Sequence, residues 1–160
     1  MNILLAGDGG QGIQTMAYVI SQVIFEDKKF NISMIPNYGL EQRGGVSMVF
    51  LKIDKKEINY PKFSKADLLC SLSDQARKRT KEYKDKNTII IDVQDFEKEL
   101  SENKINKISL NMFFLGILVS KFEKLDFLKS DKVLKKLEIK LKNKNNWEEN
   151  KKTFKLGLKK

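Results

Sequence analysis

Asn2-Ile3-Leu4-Leu5-Ala6-Gly7-Asp8-Gly9-Gly10-Gln11-Gly12-Ile13 opens the chain. Residues 2–6 form a short apolar run that stops at glycines, the pattern of a buried strand. Gly7 to Gly12 is a loop with four glycines in six positions. Beyond it Ile13, Met16, Ala17, Ile20, Val23 and Ile24 recur at helical spacing, which predicts an amphipathic helix over 13–26. A strand, a glycine turn and a helix in that order make an anion site. The helix N-terminus presents unpaired amides, and glycine lets a phosphate approach the backbone.

The same alternation continues along the chain. Strands are expected at 30–35 (closed by Pro36), 46–53, 67–72 and 88–92, with a weak last strand at 107–110. Residues 57–60 are a short extended piece. A polar helix is expected over 73–84, a buried one over 111–122, and a lysine-faced one over about 126–142 with Phe127, Leu134, Leu137 and Leu141 as its apolar stripe. Residues 143–146 break that helix, and a final one runs to about residue 156. Strands alternating with helices indicate an α/β fold with a mainly parallel, Rossmann-like sheet wound on both faces. The 160 residues fit one domain, with a helical, lysine-rich C-terminal extension from about residue 123.

Composition narrows the chemistry. There is one cysteine, Cys70, and no histidine. One thiol forms no internal disulfide and holds no iron–sulfur cluster, which takes about four thiolates. The usual zinc ligand sets and any histidine base are absent by inventory. Cys70 reads as a core thiol in a strand. The N-terminus lacks the basic start of a signal peptide, and no apolar run reaches the roughly 18 residues of a membrane span. A cytoplasmic protein without a membrane partner is therefore expected.

The net charge of +10 is uneven. Residues 129–160 carry twelve lysines against four acids, leaving the rest of the chain at +2. That tail has no arginine, and aromatics do not interleave with its lysines as a base-stacking surface requires. A solvated helix face is the plainer reading, and no nucleic-acid partner is expected.

Two cofactor patterns overlap the glycine loop. Gly7, Gly9 and Gly12 satisfy the dinucleotide fingerprint, which expects an acid at the end of the second strand. Here that strand ends in Ile35-Pro36-Asn37, while Glu26 and Asp27 precede it on the wrong edge. Gly7-Asp8-Gly9 with Asn37 also looks like the magnesium-binding motif of thiamine-diphosphate enzymes. An aspartate and an amide oxygen suit a hard cation. That cofactor, however, sits between two α/β domains, and this chain has room for one.

A second loop, Pro36-Asn37-Tyr38-Gly39-Leu40-Glu41-Gln42-Arg43-Gly44-Gly45, follows the second strand. Carboxyl ends of parallel strands share one edge, so this loop should neighbour Gly7–Gly12. Tyr38 offers a stacking face and Arg43 a bidentate donor. Glu41 pairing with Arg43 as a structural lock is the competing reading. The candidate site is thus Gly7, Gly9, Gly10, Gln11 and Gly12 with Tyr38, Gly39, Glu41, Arg43, Gly44 and Gly45, with no catalytic residue and no metal ligand.

Residues 7–13 resemble the Gly-x-Gly-Gly-Gln-Gly-Val/Ile opening of the gamma subunit of 2-oxoacid:ferredoxin oxidoreductases. Residues 36–45 resemble that family's Pro-x-Tyr-Gly-x-Glu-x-Arg-Gly-Gly. Glu57-Ile58-Asn59-Tyr60-Pro61 and residues 67–76 agree as well. So do Asn111 through Gly116, and Asn150, Phe154 and Gly157. The match runs in order along nearly the whole chain. Glu57 to Pro61 with Leu72-Ser73-Asp74-Gln75-Ala76 is most similar to the 2-oxoglutarate branch. Leu40 departs from the usual proline, and residues 42–47 also echo the indolepyruvate branch.

The resemblance implies an accessory gamma subunit of a complex with alpha and beta, optionally delta, subunits. The complex oxidatively decarboxylates a 2-oxoacid on thiamine diphosphate with magnesium. It passes electrons through 4Fe–4S clusters to ferredoxin and transfers the acyl group to coenzyme A. This chain would bind none of the resident cofactors alone, and would help form the coenzyme A side of the site. The alternatives are a stand-alone dinucleotide-binding oxidoreductase and a basic nucleic-acid-binding module. Co-purification separates them: cluster-containing partners, a bound nicotinamide, or salt-sensitive nucleic-acid binding.

Overall fold

A computed structural model describes residues 1–38 and 45–160, the side chain of Tyr38 excepted. Five strands form one sheet in the order β2-β3-β1-β4-β5. They are β1 (Asn2–Asp8), β2 (Asn31–Tyr38), β3 (Val46–Asp54), β4 (Leu68–Ser71) and β5 (Ile89–Asp92). β1–β4 and β4–β5 pair parallel, whereas β1–β3 and β2–β3 pair antiparallel. β1, β2, β4 and β5 therefore all point one way, and β3 alone is reversed. The connection over residues 39–45 dictates this. A parallel crossover takes about a dozen residues or more, so so short a link returns the chain as a hairpin.

The helices are α1 (Ile13–Asp27), α2 (Asp74–Arg79), α3 (Glu97–Glu102), α4 (Leu110–Lys124), α5 (Ser130–Leu141) and α6 (Trp147–Leu158). β1 is central, and its residues Ile3 to Ala6 are apolar because both its faces are covered. Ile3 and Leu5 join a large core beneath α1, α4, α5 and α6. Leu4 and Ala6 join a smaller one with Met48, Phe50 and Ala76 of α2. The winding is thus lopsided, with the long helices on one face.

α4 is apolar on nearly every side because it lies between the sheet and α6. α4 and α6 run in the same direction, with Glu149 beside Ser109 at one end and Gly157 beside Gly116 further on. The lysines of α5 are partly neutralised within the chain: Lys132 and Lys136 pair with Asp27 and Glu26 at the end of α1. Among the described residues, no helix is long and apolar enough to cross a membrane.

Several elements differ from the sequence expectation. Residues 107–110 are not a strand. Asn106 Oδ1 accepts from the amides of Ile108 and Ser109, at 2.9 and 3.0 Å, folding the segment into the start of α4. β2 continues past Pro36 to Tyr38, since an edge strand tolerates a proline. The polar helix over 73–84 divides at Thr80 into α2 and a 3₁₀ turn, Lys81–Tyr83. α5 begins at Ser130, not 126, because α4 ends in a Schellman turn there. Asp126 has φ 58°, its amide reaches Glu123 O and that of Phe127 reaches Phe122 O. α3 is an addition; it has no fully buried residue and hence no strong apolar period.

Candidate functional site

The glycine loop sits where the carboxyl ends of the forward strands meet. Gly7 is still within β1, and a Cβ on it would stand 2.6 Å from Gln11 Oε1. Gln11 folds back over the turn. Its Oε1 accepts from the Asp8 amide at 2.7 Å, and its Nε2 donates to Leu72 O at 3.3 Å. The Gly9 amide donates to Gly45 O at 2.9 Å. This bond brings the far stem of the second loop against the first. Register supports the same neighbourhood, since Ser47 lies between Gly7 and Tyr38.

Gly10 and Gly12 hold φ of 89° and 76°, the left-handed region that favours glycine. A Cβ on Gly10 would meet nothing within 4 Å, so that peptide faces open space. A Cβ on Gly12 would stand 2.1 Å from Asn111 Nδ2. The Asn111 Oδ1 is buried with no partner among the described residues. Gly12 opens α1 without a side-chain cap, and the first turn carries no acid. Among the described residues nothing accepts from the amides of Ile13, Gln14 and Thr15. Bare amides at a helix N-terminus beside glycine suit an anion.

The opposite wall is the turn from β4 into α2. Ser73 caps α2 by accepting from the Ala76 amide at 3.1 Å, and donates to Asp8 Oδ1 at 2.6 Å. Deeper in, Ser71 Oγ donates to the buried Asp92 carboxylate. Arg77 bridges Asp92 and Asp74 at 3.5 and 2.7 Å. Cys70 is fully buried, and burial, then the Asp92 charge, pushes its thiol far above the ordinary range. It is therefore an unreactive core residue.

Gly7, Gly9, Gly10, Gln11, Gly12 and Gly45 thus come together on one sheet edge. Gly39, Glu41, Arg43, Gly44 and the side chain of Tyr38 lie outside the described residues. Asn111 and Ser73 join the edge without having been singled out as site residues, and Asp8 joins it after entering only through the magnesium pattern. Asn37 is separated from β1 by β3, about 10 Å across two strand spacings, while Asp8 is engaged by Ser73. The residues do not fit the magnesium–diphosphate motif. Glu26 and Asp27 are paired with α5 at the far end of α1, away from any ribose on the glycine loop.

The family model for pyruvate ferredoxin/flavodoxin oxidoreductase matches residues 2–160. The chain belongs to this family. Two 2-oxoglutarate synthase subunits KorC are among its relatives. That of Archaeoglobus fulgidus is 33% identical over 49% of this chain and 42% of its own length. That of Methanocaldococcus jannaschii is 30% identical over 69% and 58%. The chain spans about half the length of the curated relatives it matches.

The family fold is equally clear in solved structures. The gamma subunit of a keto/oxoacid ferredoxin oxidoreductase from Geobacter sulfurreducens superposes with TM-score 0.72 at 19% identity, covering 99% of this chain and 96% of that one. A 2-oxoglutarate:ferredoxin oxidoreductase from Magnetococcus marinus, solved with 2-oxoglutarate, coenzyme A and succinyl-CoA, gives TM-score 0.79 at 18% identity. It covers 99% of this chain and 30% of that one. For this oxidoreductase-family chain, two of the sequence motifs have a structural explanation. Gly116 and Gly157 are the contact points of α4 with α6, and Asn111 lies on the glycine loop.

Proposed function

We propose that the chain is the gamma-type subunit of a 2-oxoglutarate:ferredoxin oxidoreductase complex in the cytoplasm. The supporting observation is the family match over residues 2–160 together with relatives named as 2-oxoglutarate synthase subunits. In this reading alpha and beta subunits complete the enzyme, with a delta subunit where present. The overall reaction joins the acyl group of the 2-oxoacid to the coenzyme A thiol, releases carbon dioxide and sends two electrons to ferredoxin.

This chain's part is to hold coenzyme A. The amides around Gly10 and Gly12 and at the start of α1 take phosphate oxygens, while Gly10 leaves room for backbone approach. Asn111 closes the loop from the α4 side. The remaining cofactors do not fit here. In this reading iron–sulfur clusters belong to other subunits, in keeping with a sole thiol, Cys70, that is buried. Thiamine diphosphate and magnesium also sit on other subunits in this reading, in keeping with the separation of Asp8 from Asn37 across β3. The chain then carries no catalytic residue; it has no histidine, and its one thiol is buried.

The test is turnover of the purified complex with an artificial electron acceptor. Coenzyme A-dependent oxidation is expected with 2-oxoglutarate in preference to pyruvate or a branched-chain 2-oxoacid. A pyruvate preference would move the chain to the branch of the pyruvate synthase subunit PorC of M. jannaschii, 40% identical over 58 residues.

A further inference from the structure

A loop with four glycines in six positions has much conformational freedom to lose. It also carries a carboxylate, Asp8, beside amides that are to receive an anion, and like charges within about 4–6 Å disfavour one another. Both difficulties meet a single structural answer. Asp8 Oδ1 accepts from Ser73 Oγ at 2.6 Å, across 65 residues of sequence. Ser73 is itself fixed as the cap of α2. The Asp8 backbone is clasped by Gln11, whose amide donates to Asp8 O at 3.1 Å and whose Oε1 accepts from Asp8 N at 2.7 Å. Gln11 Nε2 then reaches Leu72 O, one residue before Ser73. The loop is thereby strapped to the β4–α2 turn by two adjacent points.

We propose that Ser73 is a positioning residue for coenzyme A: through Asp8 it holds the glycine loop in its anion-receiving shape and keeps the Asp8 carboxylate on the α2 side. The inference rests on the reading of the loop as the coenzyme A phosphate site. Ser73 does not touch the ligand; its effect passes through the Asp8 side chain. Preorganisation of this kind acts on affinity by lowering the ordering penalty of binding.

The experiment measures the dissociation constant of coenzyme A for the assembled complex by calorimetry, without 2-oxoacid. Ser73→Ala should weaken binding by about tenfold, the scale of one hydrogen bond to a charged group. Ser73→Thr retains the hydroxyl and should restore it. Asp8→Asn retains the accepting oxygen and removes the charge, so it should bind at least as tightly as the wild type. In that Asp8→Asn background, Ser73→Ala should weaken binding by clearly less than tenfold. A pure capping role for Ser73 predicts the same loss in both backgrounds, and that result would overturn the proposal. Gly10→Ala tests the underlying reading separately, since at φ 89° its methyl both strains the loop and enters its open side. If Gly10→Ala weakens binding while Ser73→Ala does not, the Ser73 proposal alone falls. If Gly10→Ala leaves the constant unchanged, the phosphate-loop reading falls and takes the proposal with it.

Discussion

Gly157 of α6 lies against Gly116 of α4 so closely that a Cβ on Gly157 would stand 3.1 Å from the Gly116 Cα and 2.0 Å from the carbonyl oxygen of Phe113. The reciprocal Cβ on Gly116 would stand 2.3 Å from Phe154 O. Backbone cannot yield as a side chain can. Gly157→Val should therefore destabilise the chain by about 1–3 kcal/mol or more. That corresponds to a fall in melting temperature of roughly 2–4 °C for each kcal/mol. Thermal melting checks it, and coenzyme A affinity of the complex that still assembles should be unchanged.

Gly12 faces a different obstacle, one side chain and its own φ. Gly12→Ala should be destabilised by about 1–3 kcal/mol from backbone strain, with a further contribution from collision with Asn111 Nδ2. Asn111→Ala removes the collision and leaves the strain. The double variant should thus be more stable than the sum of the singles, by a coupling within about 0.5–3 kcal/mol. Melting curves of the four proteins give that coupling directly.

The parts of this architecture that sequence disclosed are the local ones. β1, the glycine loop and α1 follow from an apolar run, a cluster of glycines and a helical period within one short stretch. What escaped is set by distant pairing. Ser73 meets Asp8 and Asn111 meets Gly12 only after the sheet forms. The reversal of β3 was present in the length of the 39–45 connection, but the strand's own composition carries no direction. α3 offered too little apolar surface to register, and Asn106 turned an expected strand into a helix start by taking its amides.

Acid should loosen the contact between the start of β2 and the α4–α5 turn. Asp126 has its carboxyl held below the usual range, first by the hydrogen bond from Lys29 and then by that lysine's charge. A depressed folded pKa stabilises the fold above the unfolded value, 3.8, and that contribution disappears as pH falls through the lower folded value. Asp126→Asn keeps a residue tolerant of φ 58° and should flatten the pH dependence of the melting temperature below about pH 4. An unchanged slope would mean that the Lys29 pair contributes nothing to folding.

Under the proposed division of labour the isolated chain should not turn over any 2-oxoacid; it has no histidine, and its one thiol is buried. Adding purified chain to a complex depleted of it should restore coenzyme A-dependent activity. Electron transfer to an artificial acceptor by the chain alone would contradict the division of labour.

The most direct measurement of the central claim is purification of the native protein at low salt, followed by an assay of what accompanies it. Iron–sulfur-containing partner subunits should accompany it, with oxidation of 2-oxoglutarate that requires coenzyme A. A chain recovered alone with a bound nicotinamide dinucleotide, and without such partners, would contradict it.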